Sequence, residues 1–147
     1  KINRNLIKEK IVMVNNFYKT FLKFKPKIAV TGLNPHCESV LKFNEDDRII
    51  LPAIKSLQKK INVKGPFPAD TIFLKDNRKK FDVIIGMYHD QVLGPIKTLF
   101  EYDAINITLG LPFLRVTPDH GPNEKMVGQN KSNPISLIKA LNFLDQI

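Results

Sequence analysis

The chain has 147 residues, 43% hydrophobic and 25% charged, proportions that suit a globular domain long enough to bury a core. Its formal net charge of +9 rests on lysines spread along the chain with no arginine-rich run, so we read a solvated surface with a share left for an anionic substrate. The single cysteine, Cys37, excludes an internal disulfide framework and fits a reducing, cytoplasmic setting, and no apolar run reaches the roughly 18 residues that span a bilayer.

The chain opens on Lys1-Ile2-Asn3-Arg4, already in a helix-like pattern, and we read it as a fragment, or a processed or partly ordered chain, whose upstream part is missing. Leu6, Ile7, Ile11, Val14, Phe17, Tyr18, Phe21 and Leu22 predict an amphipathic helix to about Phe24, ended by Pro26. Ile28–Thr31 predicts a short buried strand stopping at Gly32. Glu45 to Lys60 predicts a second amphipathic helix with Asn44 as N-cap, acidic residues at its positive end, and a kink or late start at Pro52. Ile61–Val63 predicts a short strand, Gly65–Pro68 a rigid turn, then a short helix and a loop at Lys75–Lys80.

Val83–Ile85 is a β-branched run bounded by Asp82 and Gly86 and predicts a buried strand; a helix near Gln91–Phe100 and a strand at Ala104–Leu109 follow. Gly110–Phe113 turns the chain toward Leu114–Val116, Thr117–Asn133 reads as a polar loop, and Pro134–Leu144 as the last helix. Strands alternating with helices predict an α/β layered fold with a mainly parallel sheet.

In such sheets ligands bind beyond the carboxyl ends of the strands. His36 and His89 each follow a predicted strand by a few residues, so neighbouring strands can bring both imidazoles to one edge. Imidazole suits zinc and related ions, but a catalytic zinc takes three protein ligands, and two loop histidines satisfied by hydrogen bonds fit the same spacing. Asp70 and Asp90 read equally as residues that orient those imidazoles, as general bases, or as helix caps. Asn106 interrupts an apolar strand, and Arg115 sits between Leu114 and Val116. With Lys97 they suit an acidic substrate, although each alone is a common surface residue. The loop Asp119-His120-Gly121 and Ser132-Asn133 lacks a G-x-G-x-x-G fingerprint; it reads as a nucleotide-holding loop or as a plain connection that caps the final helix.

The strings Gly32-Leu33-Asn34-Pro35-His36, Gly65-Pro66-Phe67-Pro68-Ala69-Asp70-Thr71, Met87-Tyr88-His89-Asp90-Gln91, Asn106–Arg115 and Asp119-His120-Gly121 occur in this order. Together they resemble the C-terminal part of the 4-hydroxythreonine-4-phosphate dehydrogenase family of vitamin B6 biosynthesis. The resemblance implies an α/β/α fold like that of the isocitrate and isopropylmalate dehydrogenases. It also implies oxidation of 4-phosphooxy-threonine at C3 with NAD or NADP, then loss of carbon dioxide, in a homodimer with shared active sites. A divalent metal, commonly zinc, would be held by three histidines: His36, His89 and a third upstream of Lys1. Lys97, Asn106 and Arg115 would bind substrate, Asp70 would orient a ligand or contact substrate, and His120, Gly121 and Asn133 would belong to the cofactor loop at 117–133; we take His89, Asp70 and Asp90 as the catalytic candidates. On this reading 1–24 is a helix and 27–147 the metal- and substrate-binding portion. The chain departs from the family pattern at Cys37-Glu38-Ser39, where Ala-Gly-Glu is usual, and at Pro122-Asn123-Glu124. A related dehydrogenase of a cis-diol carboxylate or of another phosphorylated hydroxy acid is the second reading. A basic module for nucleic acid is the reading from a different class.

Overall fold

The parallel sheet is built around β1 (Ile28–Thr31), whose four residues are all buried, as expected of a central strand covered on both faces. The computed structural model describes residues 2–37, 43–121 and 124–147; the departures at Glu38-Ser39 and Pro122-Asn123 lie outside the described residues. The chain divides into two compact units, Lys1–Leu93 and Gly94–Ile147.

In the first unit β1 lies between β2 (Val63–Phe67) and β3 (Val83–Ile85) in the order β2-β1-β3, both pairings parallel, with Ile28 opposite Val63 and Val83. Helix α1 (Arg4–Thr20) starts where the Asn3 side chain accepts the Leu6 N–H, and it buries Ile7 and Ile11, four residues apart on one face. These two pack with Ile50, Ala53 and Ile54 against Ile28, Val30 and Val63 in one apolar core. The helix expected from Glu45 begins as a π-helical turn, Asp46–Ile50, and continues as α2 (Leu51–Leu57). Pro52 accounts for the irregularity, because it has no N–H for the Arg48 carbonyl four residues back. The Arg4 guanidinium donates to that carbonyl instead, at 2.9 and 2.7 Å. Asn44 caps as expected, its Oδ1 accepting the Asp47 N–H at 2.8 Å.

Several boundaries differ from the sequence reading. Helix α1 ends at Thr20 rather than near Phe24, because Lys23 enters the left-handed region at φ 61° and breaks the helix before Pro26. Gly65-Pro66-Phe67 is not a turn but part of β2, with a cis Gly65–Pro66 bond and an irregular register between Ala29 and Thr31. A strand at the sheet's edge with a register shift tolerates a proline that a central strand would not. The loop expected at Lys75–Lys80 holds the short helix α3 (Lys75–Arg78). β3 is half-buried rather than buried, since its pairing is with β1 alone in this sheet. Helix α4 (His89–Phe100) begins two residues early, so His89 and Asp90 lie in its first turn.

The second unit contains a hairpin of β4 (Ile105–Thr108) and β5 (Arg115–Pro118), which are antiparallel, and α5 (Ile135–Asp145), which packs on both strands. A parallel pair needs a crossover of a dozen or more residues; the turn at Gly110, with φ 89°, is too short for one. A 3-10 turn, Glu124–Met126, interrupts the polar loop. The Ser136 hydroxyl, almost wholly buried, donates to the Ala104 carbonyl and accepts the Asp119 N–H, tying α5 to both ends of the hairpin. Among the described residues, no helix is long and apolar enough to cross a membrane.

Candidate functional site

The three parallel strands of the first unit each lead to singled-out polar residues: His36 in the loop after β1, Asp70 after β2, and His89 with Asp90 in the first turn of α4 after β3. This is the carboxyl edge at which α/β sheets bind ligands. His36 Nδ1 lies 2.9 Å from Asp70 Oδ2, and His89 Nδ1 lies 2.7 Å from Asp90 Oδ1. A carboxylate only accepts, so each Nδ1 carries the proton, and in the neutral ring Nε2 then keeps its lone pair. The imidazoles are 70% and 77% exposed, which leaves those nitrogens accessible. Asp70 and Asp90 are therefore imidazole partners in this structure; α3 has Leu74 as its N-cap. Among the described residues, no three His, Cys, Asp or Glu side chains gather as a metal-holding group.

Two buried polar side chains build these loops, and neither was singled out for such a role in the sequence. Asp46, 1% exposed, accepts the Leu33 N–H at 2.6 Å, the Asn34 N–H at 3.4 Å and Asn34 Nδ2 at 3.0 Å, shaping the turn that leads to His36. Gly32 leaves room for this: a Cβ there would meet Asp46 Oδ1 at 3.0 Å and Cys37 Sγ at 2.5 Å. Gln91 joins the loops after β1 and β3 through Gly32, Thr31 and Met87. The sequence offered a weak signal for each, an acid at a helix start and an amide behind a His-Asp pair. Position alone reads the first as a dipole partner and leaves the second without a role. Burial pushes the Cys37 thiol up, helped by the negative charges of Asp46 and, to a smaller extent, Asp70, against a lowering by its hydrogen bond to Gly32.

In the second unit Lys97 is held by Asp119, whose carboxylate lies 2.9 Å from Nζ and whose carbonyl also accepts from it. Arg115 donates to Thr108 Oγ1 at 2.9 Å, across a directly opposed pair of β4 and β5. Asn106 is opposite Thr117, so Asn106, Thr108, Arg115 and Thr117 share one hairpin face, with Asn106 and Arg115 exposed. His120, Gly121 and Asn133, from the two ends of one polar loop, line one pocket of about 320 Å³ with Tyr102, Met126, Lys131 and Ser132. Asn133 also accepts the Ile135 N–H at 3.0 Å, so the capping alternative holds for it without excluding the pocket.

Over residues 1–144 the chain matches the family described as Pyridoxal phosphate biosynthetic protein PdxA. The chain belongs to this family. A PdxA-family relative from Bradyrhizobium diazoefficiens, 4-hydroxythreonine-4-phosphate dehydrogenase, is 48% identical over 84% of this chain and 36% of its own length. D-threonate 4-phosphate dehydrogenase of Pectobacterium atrosepticum is 36% identical over 99% of the chain and 45% of its own length. The crystal structure of 4-hydroxythreonine-4-phosphate dehydrogenase from Klebsiella pneumoniae superposes with a TM-score of 0.83 at 32% identity, covering 100% of this chain and 46% of that one. The α/β fold is thus the one seen in this family, and the chain spans less than half the length of these relatives.

Proposed function

We propose that this chain supplies part of a metal- and NAD(P)-dependent dehydrogenase that oxidises 4-phosphooxy-L-threonine at C3, after which carbon dioxide is lost to give 3-amino-2-oxopropyl phosphate. Family membership supports the reaction class. The observation that carries the site is the pairing of each exposed imidazole at the sheet edge with its own carboxylate. Metal-ligating histidines show this arrangement, the carboxylate holding the tautomer and the ring while Nε2 is offered to the ion. The donor set therefore fits zinc, or cobalt in its place; magnesium, which takes oxygen donors, would depend on groups other than these imidazoles. It comprises His36 and His89, and further donors would come from beyond them. Bound together, such an ion supplies Lewis acidity and a nicotinamide supplies the hydride acceptor.

The chain's own residues bind and orient. Asp70 and Asp90 keep a proton on Nδ1 of His36 and His89. Lys97 and Arg115 offer positive charge to a phosphate or carboxylate and Asn106 an amide, in keeping with the family resemblance. An anion at Lys97 would have to displace or share its contact with Asp119. The pocket of His120, Gly121 and Asn133, at the lower end of the size range for small-molecule sites, suits the adenosine part of the cofactor. Exposed Leu137, Ile138 and Leu141 on α5 suit burial against further polypeptide; a cytoplasmic homodimer with shared active sites is proposed on the family resemblance. The name of the Pectobacterium relative favours a second reading, oxidation of another phosphorylated hydroxy acid such as D-threonate 4-phosphate.

The 147 residues alone are expected to show no turnover. A chimera carrying them in place of the matching segment of the Bradyrhizobium enzyme tests the reading, with folding checked by circular dichroism. It is expected to reduce NAD or NADP with 4-phosphooxy-L-threonine and to lose that activity on His89→Ala. Preference for D-threonate 4-phosphate would establish the second reading; full activity in His89→Ala would remove His89 from the site.

A further inference from the structure

We infer that Gln91 is a positioning residue that sets the spacing between the two histidine-bearing segments, an inference that rests on the metal reading and deepens it. Tyr88, His89 and Asp90 are exposed, yet Gln91, the next residue, is only 7% exposed. Both ends of its amide are used. Nε2 donates to the Gly32 carbonyl at 2.8 Å, while Oε1 accepts the Met87 N–H at 2.7 Å and the Thr31 hydroxyl at 2.6 Å. Thr31 and Gly32 end β1 ahead of His36, and Met87 lies two residues before His89. The last paired residues of the β1–β3 ladder are Val30 and Ile85. Beyond that point the backbones stop bonding to each other, and the Gln91 amide continues the connection by one further rung. Gly86 makes room for it, since a Cβ there would meet Gln91 Oε1 at 3.3 Å and Val92 Cγ1 at 2.5 Å.

An amide is required for this task. It presents one donor face and one acceptor face to two different strands, which neither a carboxylate nor a hydrocarbon does. Gln91→Glu keeps length and acceptors but sets an oxygen against the Gly32 carbonyl; Gln91→Leu removes all three bonds. Thr31→Val is nearly isosteric and withdraws the hydroxyl, which lies 2.6 Å from Oε1 and makes only a long 3.4 Å contact to the Ile85 carbonyl.

The test uses zinc chloride and the full-length chimera, which adds the relative's remaining donors, its affinity read by competition with a chromophoric chelator, alongside metal-free melting curves and the cobalt(II) absorption spectrum. His36→Ala and His89→Ala serve as references. Measured at a temperature where every variant is folded, Gln91→Glu is expected to weaken zinc binding about tenfold or more, the range found for groups that orient a ligand. Thr31→Val is expected to weaken it less, and the cobalt spectrum is expected to change in both. Should Gln91→Leu not fold, the other two variants carry the comparison. Unchanged zinc affinity and cobalt spectrum in Gln91→Glu and Thr31→Val, with binding lost in the histidine variants, overturns the role of Gln91 and leaves the metal reading standing. No zinc binding by the unsubstituted chimera, or equal binding in the histidine variants, overturns both.

Discussion

Replacing Asp46 by alanine should destabilise the first unit by about 3 kcal/mol. The carboxylate is 1% exposed and accepts from three donors, of which Leu33 N–H at 2.6 Å and Asn34 Nδ2 at 3.0 Å are close and Asn34 N–H at 3.4 Å is long. A buried donor left without a partner costs about 1–3 kcal/mol, and since Leu33 and Asn34 are half-buried each loss falls in the lower part of that range. The two close bonds set the scale, and the long one adds little. Removing a buried charge also recovers its desolvation cost, several kcal/mol for an unpaired ion, but here the same donors already offset that cost, so the loss wins. For a unit of this size about 1 kcal/mol moves the melting temperature by roughly 4–8 °C, so Asp46→Ala should lower it by on the order of 10–25 °C. Asp46→Asn keeps an acceptor for Leu33 and opposes the Asn34 amide with another amide, for a loss of about 1 kcal/mol. Thermal unfolding followed by circular dichroism at pH 7 decides. A drop below about 3 °C in Asp46→Ala, or equal drops in both variants, would refute the argument that this carboxylate holds the turn before His36.

Gly65→Ala should cost at least about 3 kcal/mol, because φ there is 141° and a Cβ would lie 2.4 Å from the Val30 carbonyl oxygen, a backbone atom that cannot move without disturbing β1. Denaturant unfolding of this variant within about 1 kcal/mol of the parent would show that β1 and β2 do not approach so closely. The raised thiol of Cys37 predicts that alkylation by iodoacetamide has its half-maximal rate at a higher pH than for an unburied cysteine. The nearby charge of Asp46 contributes to that rise, so Asp46→Asn should move the midpoint back down; an unchanged or higher midpoint would contradict the electrostatic cause.

The sequence marked β1 and β3 at their observed bounds, because a short β-branched run ended by glycine has few other readings. Its five strings pointed to the family that the chain belongs to. Periodicity carries such signals because it is written in neighbouring residues. The strand through Gly65-Pro66, the helix at Lys75–Arg78 and the antiparallel hairpin of β4 and β5 were not legible in that way. Each is decided by which chain lies alongside or by how short a connection is.

By itself, then, the sequence determined that an imidazole and a carboxylate stand near the end of a strand, and it left Asp70 and Asp90 divided between capping and orienting. The tertiary structure decided that Asp70, far along the chain, faces His36, and that Asp90 turns to the neighbouring His89. It also decided that Asp46 and Gln91, both polar residues at helix starts, are buried and spent on backbone groups of other segments. Burial depends on what packs over a side chain, and a polar group placed there must find its partner in whichever backbone arrives. No local pattern contains that partner, which is why these two residues emerged only once the strands were brought together.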